Sequence, residues 1–228
     1  MVKKYEIILD KSIEVLGFKL FRIRALIDFD IVKAGDLGGY IQSEKNLSHN
    51  GTAWVANNAK VYDNAKVYGK AQVFGYAEVF GNAEVWGEAE VYDNAKVSGN
   101  SSVAGTSKVY DNARVSGKAD IWENVQVYGN AFVLGEAEIY GNAKVSGNAE
   151  IYGNARISEL NDFIVFKNHW SSGRHFTYTK SNKMWKVGCF YGTGQELIEK
   201  AYGDSKTSGD HYKYYVDFVE GLERLGEE

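Results

Sequence analysis

A parallel β-helix is the fold predicted for the middle of this chain. Three features predict it: a six-residue period that never slips, alternation of small or aliphatic with polar or aromatic residues inside each unit, and the absence of proline from all 228 residues. The period is visible in Ala65-Lys66-Val67-Tyr68-Gly69-Lys70, Ala71-Gln72-Val73-Phe74-Gly75-Tyr76 and Ala77-Glu78-Val79-Phe80-Gly81-Asn82. Valine or isoleucine stands at every sixth position from Val55 to Ile157, eighteen times without an insertion.

The first four positions of a unit alternate as in a strand with one buried face. Alanine and valine point in; Lys or Glu and Tyr, Phe or Trp point out. The last two positions are Gly or Asp, commonly followed by Asn, residues that tolerate positive φ and so allow a corner. Every unit presents the same inward residues in the same order, so the units cannot fold back as antiparallel hairpins and must coil. With three units per turn, eighteen units make six coils spaced by roughly 4.8 Å, a column on the order of 29 Å tall. Alanine occupies the narrow part of that column, where nothing larger fits. A six-residue period matches neither the ~3.6 residues of an amphipathic helix nor the ~3.5 of a coiled coil. Proline, which lacks a backbone donor, is poorly tolerated in continuous ladders of this kind.

These units resemble the hexapeptide repeat of left-handed parallel β-helix proteins, in which an aliphatic residue is followed four places later by a small one, here Val67 and Ala71 or Ile139 and Ala143. The resemblance covers about half the chain and implies a left-handed coil and a homotrimer. The repeat departs from the acyltransferase form in the place after the aliphatic residue. That form favours Gly or a small acidic residue; here the place holds Tyr62, Tyr68, Phe74, Phe80, Trp86, Tyr92, Tyr110, Trp122, Tyr128, Tyr140 and Tyr152.

Taking every eighteenth residue sorts the outward side chains by face. One face reads Phe74, Tyr92, Tyr110, Tyr128, an unbroken aromatic ladder expected to form the oligomer interface, because an apolar stripe of that length is seldom left to solvent. The competing expectation is that the rings only stabilise adjacent strands. A second face reads Tyr68, Trp86, Ala104, Trp122, Tyr140. The third centres on Ser98 and Ser116, flanked by Lys96 and Arg114, and is expected to be solvated.

A β-helix has an open sheet edge at each end, and both flanks read as caps. Three regions are therefore expected: a β-rich N-terminal cap over 1–52, the β-helix over 53–158 and an α+β module over 159–228. In the first, Tyr5 to Leu9 and Phe18 to Leu26 are predicted strands, followed by a turn from Gly35 to Tyr40. His49 stands six residues before Val55, in step with the inward positions, which would place it over the first coil. In the last, Phe163 to Phe166, His175 to Lys180 and Met184 to Tyr191 are predicted strands, and Gln195 to Tyr202 and His211 to Leu225 predicted helices. Between Phe163 and Gln195 there is no acidic residue, whereas Lys167, Arg174, Lys180, Lys183 and Lys186 all occur there with His169 and His175. With its N-terminal Gly-Asp-Leu-Gly-Gly and Asn-Leu-Ser-His segments and the tail run Gly188-Cys189-Phe190-Tyr191-Gly192-Thr193, the whole order is similar to phage-encoded hexapeptide-repeat proteins, a group labelled as transferases or polymer-forming proteins.

Composition narrows the classes. With 44% hydrophobic and 25% charged residues the chain reads as a soluble globular protein. A net charge of −4 is too small to steer it to duplex nucleic acid or an anionic membrane. The start lacks the pattern of a signal peptide, so a cytoplasmic location is expected, the bacterial host's if the phage resemblance holds. One cysteine, Cys189, excludes an internal disulfide and a multi-cysteine metal site; set in a predicted strand, it is expected to be buried and structural.

Acyl transfer from acetyl-coenzyme A is the activity most associated with trimers of this fold, and it uses a histidine as general base near the acceptor. All four histidines, His49, His169, His175 and His211, fall outside the repeat, and the repeat has no escaping loop. Neither a cofactor nor a metal site is read from the sequence. The favoured expectation is a non-enzymatic homotrimer that binds a small anionic, nucleotide-like ligand or a partner protein. Ser172, Arg174, His175, Lys186 and Thr193 would supply hydrogen bonds to phosphate, and Tyr178, Trp170 or Trp185 a stacking surface. In a phage setting such a protein would sequester a host defence signal. The alternatives are an acyltransferase and a structural, polymer-forming scaffold.

Overall fold

The computed structural model describes residues 2–226. The chain divides into two compact units, Met1–Leu160 and Asn161–Glu228. The first holds a parallel β-solenoid. Its hexads form eighteen two-residue strands at six-residue intervals, from β4 (Trp54–Val55) to β21 (Arg156–Ile157). Each of the first fifteen pairs in parallel with the strand three units on, Val67 with Val85 and Val91 with Val109, which makes the coil three-sided as expected. Three backbone bonds per unit run to the next coil, as when Lys66 N donates to Ala83 O at 2.9 Å, Tyr68 N to Val85 O at 3.1 Å and Lys70 N to Gly87 O at 2.7 Å. The inward valines, isoleucines and alanines are buried without exception from Ala53 to Ile157.

The corners take left-handed φ. At two corners without glycine a side chain compensates: Asp111 (φ 57) and Glu123 (φ 66) bend the same way, and their carboxylates accept the N–H of the corner residue one coil on, from Gly129 at 3.0 Å and Gly141 at 2.5 Å.

Both predicted strands are present, β1 (Tyr5–Val15) running past the predicted end at Leu9 and β2 (Phe18–Ala25), and they pair as an antiparallel hairpin. The segment from Gly35 to Tyr40 is not a turn, however. Leu37–Ile41 is a strand, β3, antiparallel to β2 on one side and parallel to the solenoid on the other, with Ile41 opposite Val61. One face thus carries seven parallel strands, and the solenoid has about seven turns instead of six. This extra turn is longer than the rest. Leu47 sits over Val67, twenty residues on, so two residues are inserted between Leu47 and Val55. The insertion moves His49 out of the inward register, and Leu47 takes that place, fully buried. His49 instead stacks on Tyr5 at 4.3 Å, and its Nδ1 lies 3.2 Å from the Lys4 backbone N–H, which it accepts.

Side chains finish what the first turn leaves open. Lys4 Nζ donates to Ala53 O at 2.7 Å and Gly51 O at 3.3 Å, the Tyr5 hydroxyl donates to Leu47 O at 2.7 Å, and Asn46 Nδ2 donates to Ala65 O at 2.9 Å and Asp63 O at 3.0 Å. Buried carbonyls at the rim of the column therefore have donors, and the coil end is closed to a further strand there.

Outside the column, neighbouring coils satisfy one another. The ladder Phe74, Tyr92, Tyr110, Tyr128 is stacked, with centroids 4.8, 5.0 and 5.0 Å apart and planes within 3°. Glu78 is held between Lys60 (2.9 Å) and Lys96 (3.2 Å), two coils apart, and Asn82 links Asn64 (3.1 Å) to Asn100 (2.8 Å). The paired lysines hold the Glu78 carboxyl below its usual range, although burial pushes the other way.

In the second unit an antiparallel sheet runs in the order β22 (Phe163–Lys167), β23 (His175–Thr179), β24 (Met184–Val187), β25 (Phe190–Gly192). The single strand predicted from Met184 to Tyr191 is two strands around a turn at Gly188 (φ 56), and Cys189 lies exposed in that turn, not buried in a strand. Two helices follow, α1 (Gly194–Asp204) and α2 (Lys206–Gly226), the second starting five residues before the predicted His211. One face of the sheet packs through Phe176, Tyr178 and Trp185 on Leu197, Ala201, Tyr212, Val216 and Val219 of the helices.

Candidate functional site

Where the helices meet this sheet they leave a cleft of about 520 Å³, lined by Tyr178, Lys183, Trp185, Thr193, Gly194, Gln195, Val216, Val219, Glu220, Glu223 and Arg224. A volume in this range suits a small ligand. Its floor follows from strand alternation. Tyr178 on β23 and Trp185 on β24 are directly paired and point to the helix side. One wall follows from helical spacing. Val216 and Val219 face the core, and Glu220 and Glu223, each four residues further on, fall on the same face of α2 one turn beyond.

The other wall is the start of α1. Thr193 caps it: its Oγ1 accepts the Glu196 N–H at 3.3 Å, and Glu196 Oε2 accepts the Thr193 N–H at 2.8 Å. The first backbone bond back from the helix is Leu197 N to Thr193 O at 3.0 Å, so the N–H groups of Gly194 and Gln195 have no partner within the helix. Gly194 lies close to the floor: a Cβ there would stand 3.3 Å from Trp185 Nε1 and 2.7 Å from Val216 Cγ1. Trp185 is only 2% exposed, but the indole N–H that is buried without a hydrogen-bond partner among the described residues is that of Trp170, outside the cleft.

The charges of the cleft balance. Glu223 accepts the Tyr178 hydroxyl and lies 3.9 Å from Lys183. Burial, and then this carboxylate, push the Tyr178 phenol well above its ordinary range. Glu220 and Arg224 make no ion pair among the described residues.

Of the five residues expected to bind an anion, Thr193 alone lines this cleft. Ser172 and Arg174 are exposed on the loop joining β22 to β23, where the Arg174 N–H lies 3.4 Å from Ser172 Oγ. His175 and Lys186 project from the sheet face opposite Phe176 and Trp185, and Lys186 donates to the Gly188 carbonyl. A Cβ on Gly188 would stand 3.6 Å from Arg174 Nη1, so Arg174 and Lys186 meet at that turn, while Thr193 lies in the cleft. The rings expected to stack on a base are also engaged: Trp170 lies on His211 at 4.4 Å and Trp185 packs against Tyr178 at 5.0 Å. Glu220, Glu223, Arg224 and Gln195 were not among the expected site residues. The i to i+4 step from Val216 and Val219 was the signal that could have found the two glutamates.

His169 and His211 lie together, their ring centroids 5.7 Å apart, whereas His49 belongs to the first unit and His175 stands on β23. His49 is committed to Tyr5 and Lys4. His211 Nδ1 lies 2.7 Å from Thr207 O, and His169 Nδ1 lies 3.4 Å from the Tyr215 hydroxyl. No helix among the described residues is long and apolar enough to cross a membrane. No family model and no curated protein matches the chain.

Proposed function

We propose that this chain is a binding protein, not an acyltransferase, and that it uses the solenoid as a rigid, self-associating platform and the cleft of the second unit to take a small ligand. One contrast carries the reading. Many polar groups on the solenoid are paired with neighbouring coils, as in Lys60–Glu78–Lys96, whereas the cleft gathers charges of both signs, Lys183 and Arg224 with Glu220 and Glu223, around an open space. Self-association as a trimer would use the ladder Phe74, Tyr92, Tyr110, Tyr128, whose rings are half-buried in one chain and repeat at the rung spacing a symmetric neighbour would share.

The reading is tested on the full chain by following the Trp185 indole N–H resonance while adding L-amino acids, nucleoside monophosphates and acetyl-coenzyme A in turn. A saturable shift with at least one probe, without thiol release when an amine is added to acetyl-coenzyme A, is the expected result. Thiol release, or a resonance unmoved by every probe, overturns it.

A further inference from the structure

We infer that α2 is a contact surface for a second copy of this chain, two such helices packing antiparallel with Phe218 of each seated against Gly221 of the other. The inference goes beyond the ligand reading of the cleft and does not depend on the aromatic ladder.

The helix carries two apolar faces. Tyr212, Val216 and Val219 are buried in the core of the second unit. Tyr214, Phe218, Leu222 and Leu225, at steps of four, four and three residues, fall on another side and are 75%, 54%, 39% and 71% exposed. Gly221 stands in the same stripe, and with Phe218, Leu222, Arg224 and Leu225 it lines a shallow groove of about 550 Å³. Glycine inside a helix is destabilising relative to alanine, so its presence there calls for a packing reason. Gly209, earlier in α2, has one within the chain, since a Cβ there would run into the Tyr202 ring of α1. Gly221 has none, because a Cβ there meets nothing nearer than Arg224 Nη2 at 3.9 Å. The notch at Gly221 therefore serves something outside the chain.

The stripe is complementary to itself. In a twofold contact residue i meets j and j meets i. Turning one α2 end for end about a point between Val219 and Glu220 sets Phe218 opposite Gly221 of the copy and Tyr214 opposite its Leu225, so a ring fills each notch. Asp217 and Arg224 flank the stripe on one side, and the same rotation brings them to within about 3 Å of each other along the axis, inside the reach of an arginine. Arg224 makes no ion pair among the described residues, while Asp217 holds Lys213 at 2.6 Å with half its side chain still exposed. A carboxylate accepts more than one donor, so two Asp217–Arg224 pairs form by symmetry. In a parallel pair the charged flank of each helix would lie away from that of the other, and neither ion pair could form. A partner of another sequence would have to reproduce both the apolar steps and the charge order, which the chain itself already supplies.

One helix face is small beside the ~800 Å² per partner of a standard interface, so pairing should be weak, with a Kd on the order of 10–100 µM, and absent on dilution. The test is sedimentation velocity of the full chain from about 1 µM to about 300 µM. The average mass of the natural sequence should rise towards twice its dilute value. Gly221→Leu should weaken pairing at least about tenfold and stay at its dilute mass, with circular dichroism showing no loss of helix, since leucine favours a helix more than glycine does. Arg224→Asp should weaken pairing about tenfold, and Asp217→Arg combined with Arg224→Asp should recover most of that loss. A mass that does not rise with concentration, or that rises equally in Gly221→Leu, overturns the proposal, and whatever covers the stripe is then not a second copy. If Gly221→Leu abolishes the rise but the paired charge swap restores nothing, the antiparallel register is wrong.

Discussion

The ammonium of Lys4 lies 2.7 Å from the carbonyl oxygen of Ala53, at the rim where the solenoid's first turn begins. It also reaches Gly51 O and sits 5.1 Å over the Phe29 ring, in a side chain only 1% exposed. Burial lowers its pKa from 10.5 to about 8. Between those values the unfolded chain holds a proton that the folded chain has released, so stability should rise as pH goes from about 8 towards 10.5. Lys4→Met should lose that rise. It should also cost about 1–3 kcal/mol at neutral pH by leaving two carbonyls without their donor. Urea unfolding of both proteins across this pH range is the measurement, and an identical pH slope in the two would refute the account.

Corner glycines should differ sharply in what they tolerate. A Cβ on Gly105 would stand 2.6 Å from Glu123 N and 2.7 Å from Glu123 O, whereas one on Gly147 meets nothing within 4 Å; both residues have positive φ. Gly147→Ala should therefore cost only the left-handed penalty, about 1–2 kcal/mol. Gly105→Ala must in addition push two coils apart and should cost distinctly more. Thermal unfolding compares them, and equal losses would mean the coils separate easily.

The middle of the aromatic ladder should matter more than its end. Tyr110 is stacked on both Tyr92 and Tyr128, each at 5.0 Å, while Phe74 has one neighbour at 4.8 Å. At about 0.5–1.5 kcal/mol per aromatic pair, Tyr110→Ala should lose roughly twice what Phe74→Ala loses through stacking. If the ladder is also the trimer interface, sedimentation of Tyr110→Ala should fall to the monomer value. A trimer that survives both substitutions would move the interface to another face.

The solenoid was legible because six residues, taken three at a time, return each side chain to the same face, so the rule for one unit holds for all. What was hidden lay where that rule stops. Gly35, Gly38 and Gly39 look like a turn, yet the last two are in strand β3. A Cβ on Gly38 would stand 2.7 Å from Val55 O and one on Gly39 2.6 Å from Ala59 O, so those glycines mark close packing instead. The two residues inserted after Leu47 break the register that made His49 look inward. Cys189 sits in a two-strand turn that a run of apolar residues conceals. The cleft was hardest to see because its members come from two strands and two helices, and residues such as Glu220 and Trp185 meet only through tertiary packing.

Alkali should unfold this protein through its tyrosines. Burial, reinforced by nearby acidic groups, pushes Tyr62 and Tyr68 up to about 12, Tyr68 also donating to Glu84 at 3.0 Å; burial and then Tyr110 push Tyr92 to about 12. Each folded value lies above the ordinary 10.0, so each phenol's stabilising contribution is complete below pH 10. Above it the unfolded chain sheds protons that the folded chain keeps, and the contribution is lost as pH approaches 12. The gain expected from Lys4 below pH 10.5 should therefore turn into a steep loss above it. Tyrosinate absorbance and circular dichroism followed together should show the buried phenols ionising as the strands melt. A smooth titration near pH 10, with the dichroism intact, would mean that the rings are open to solvent and that stacking along the coils is not what shields them.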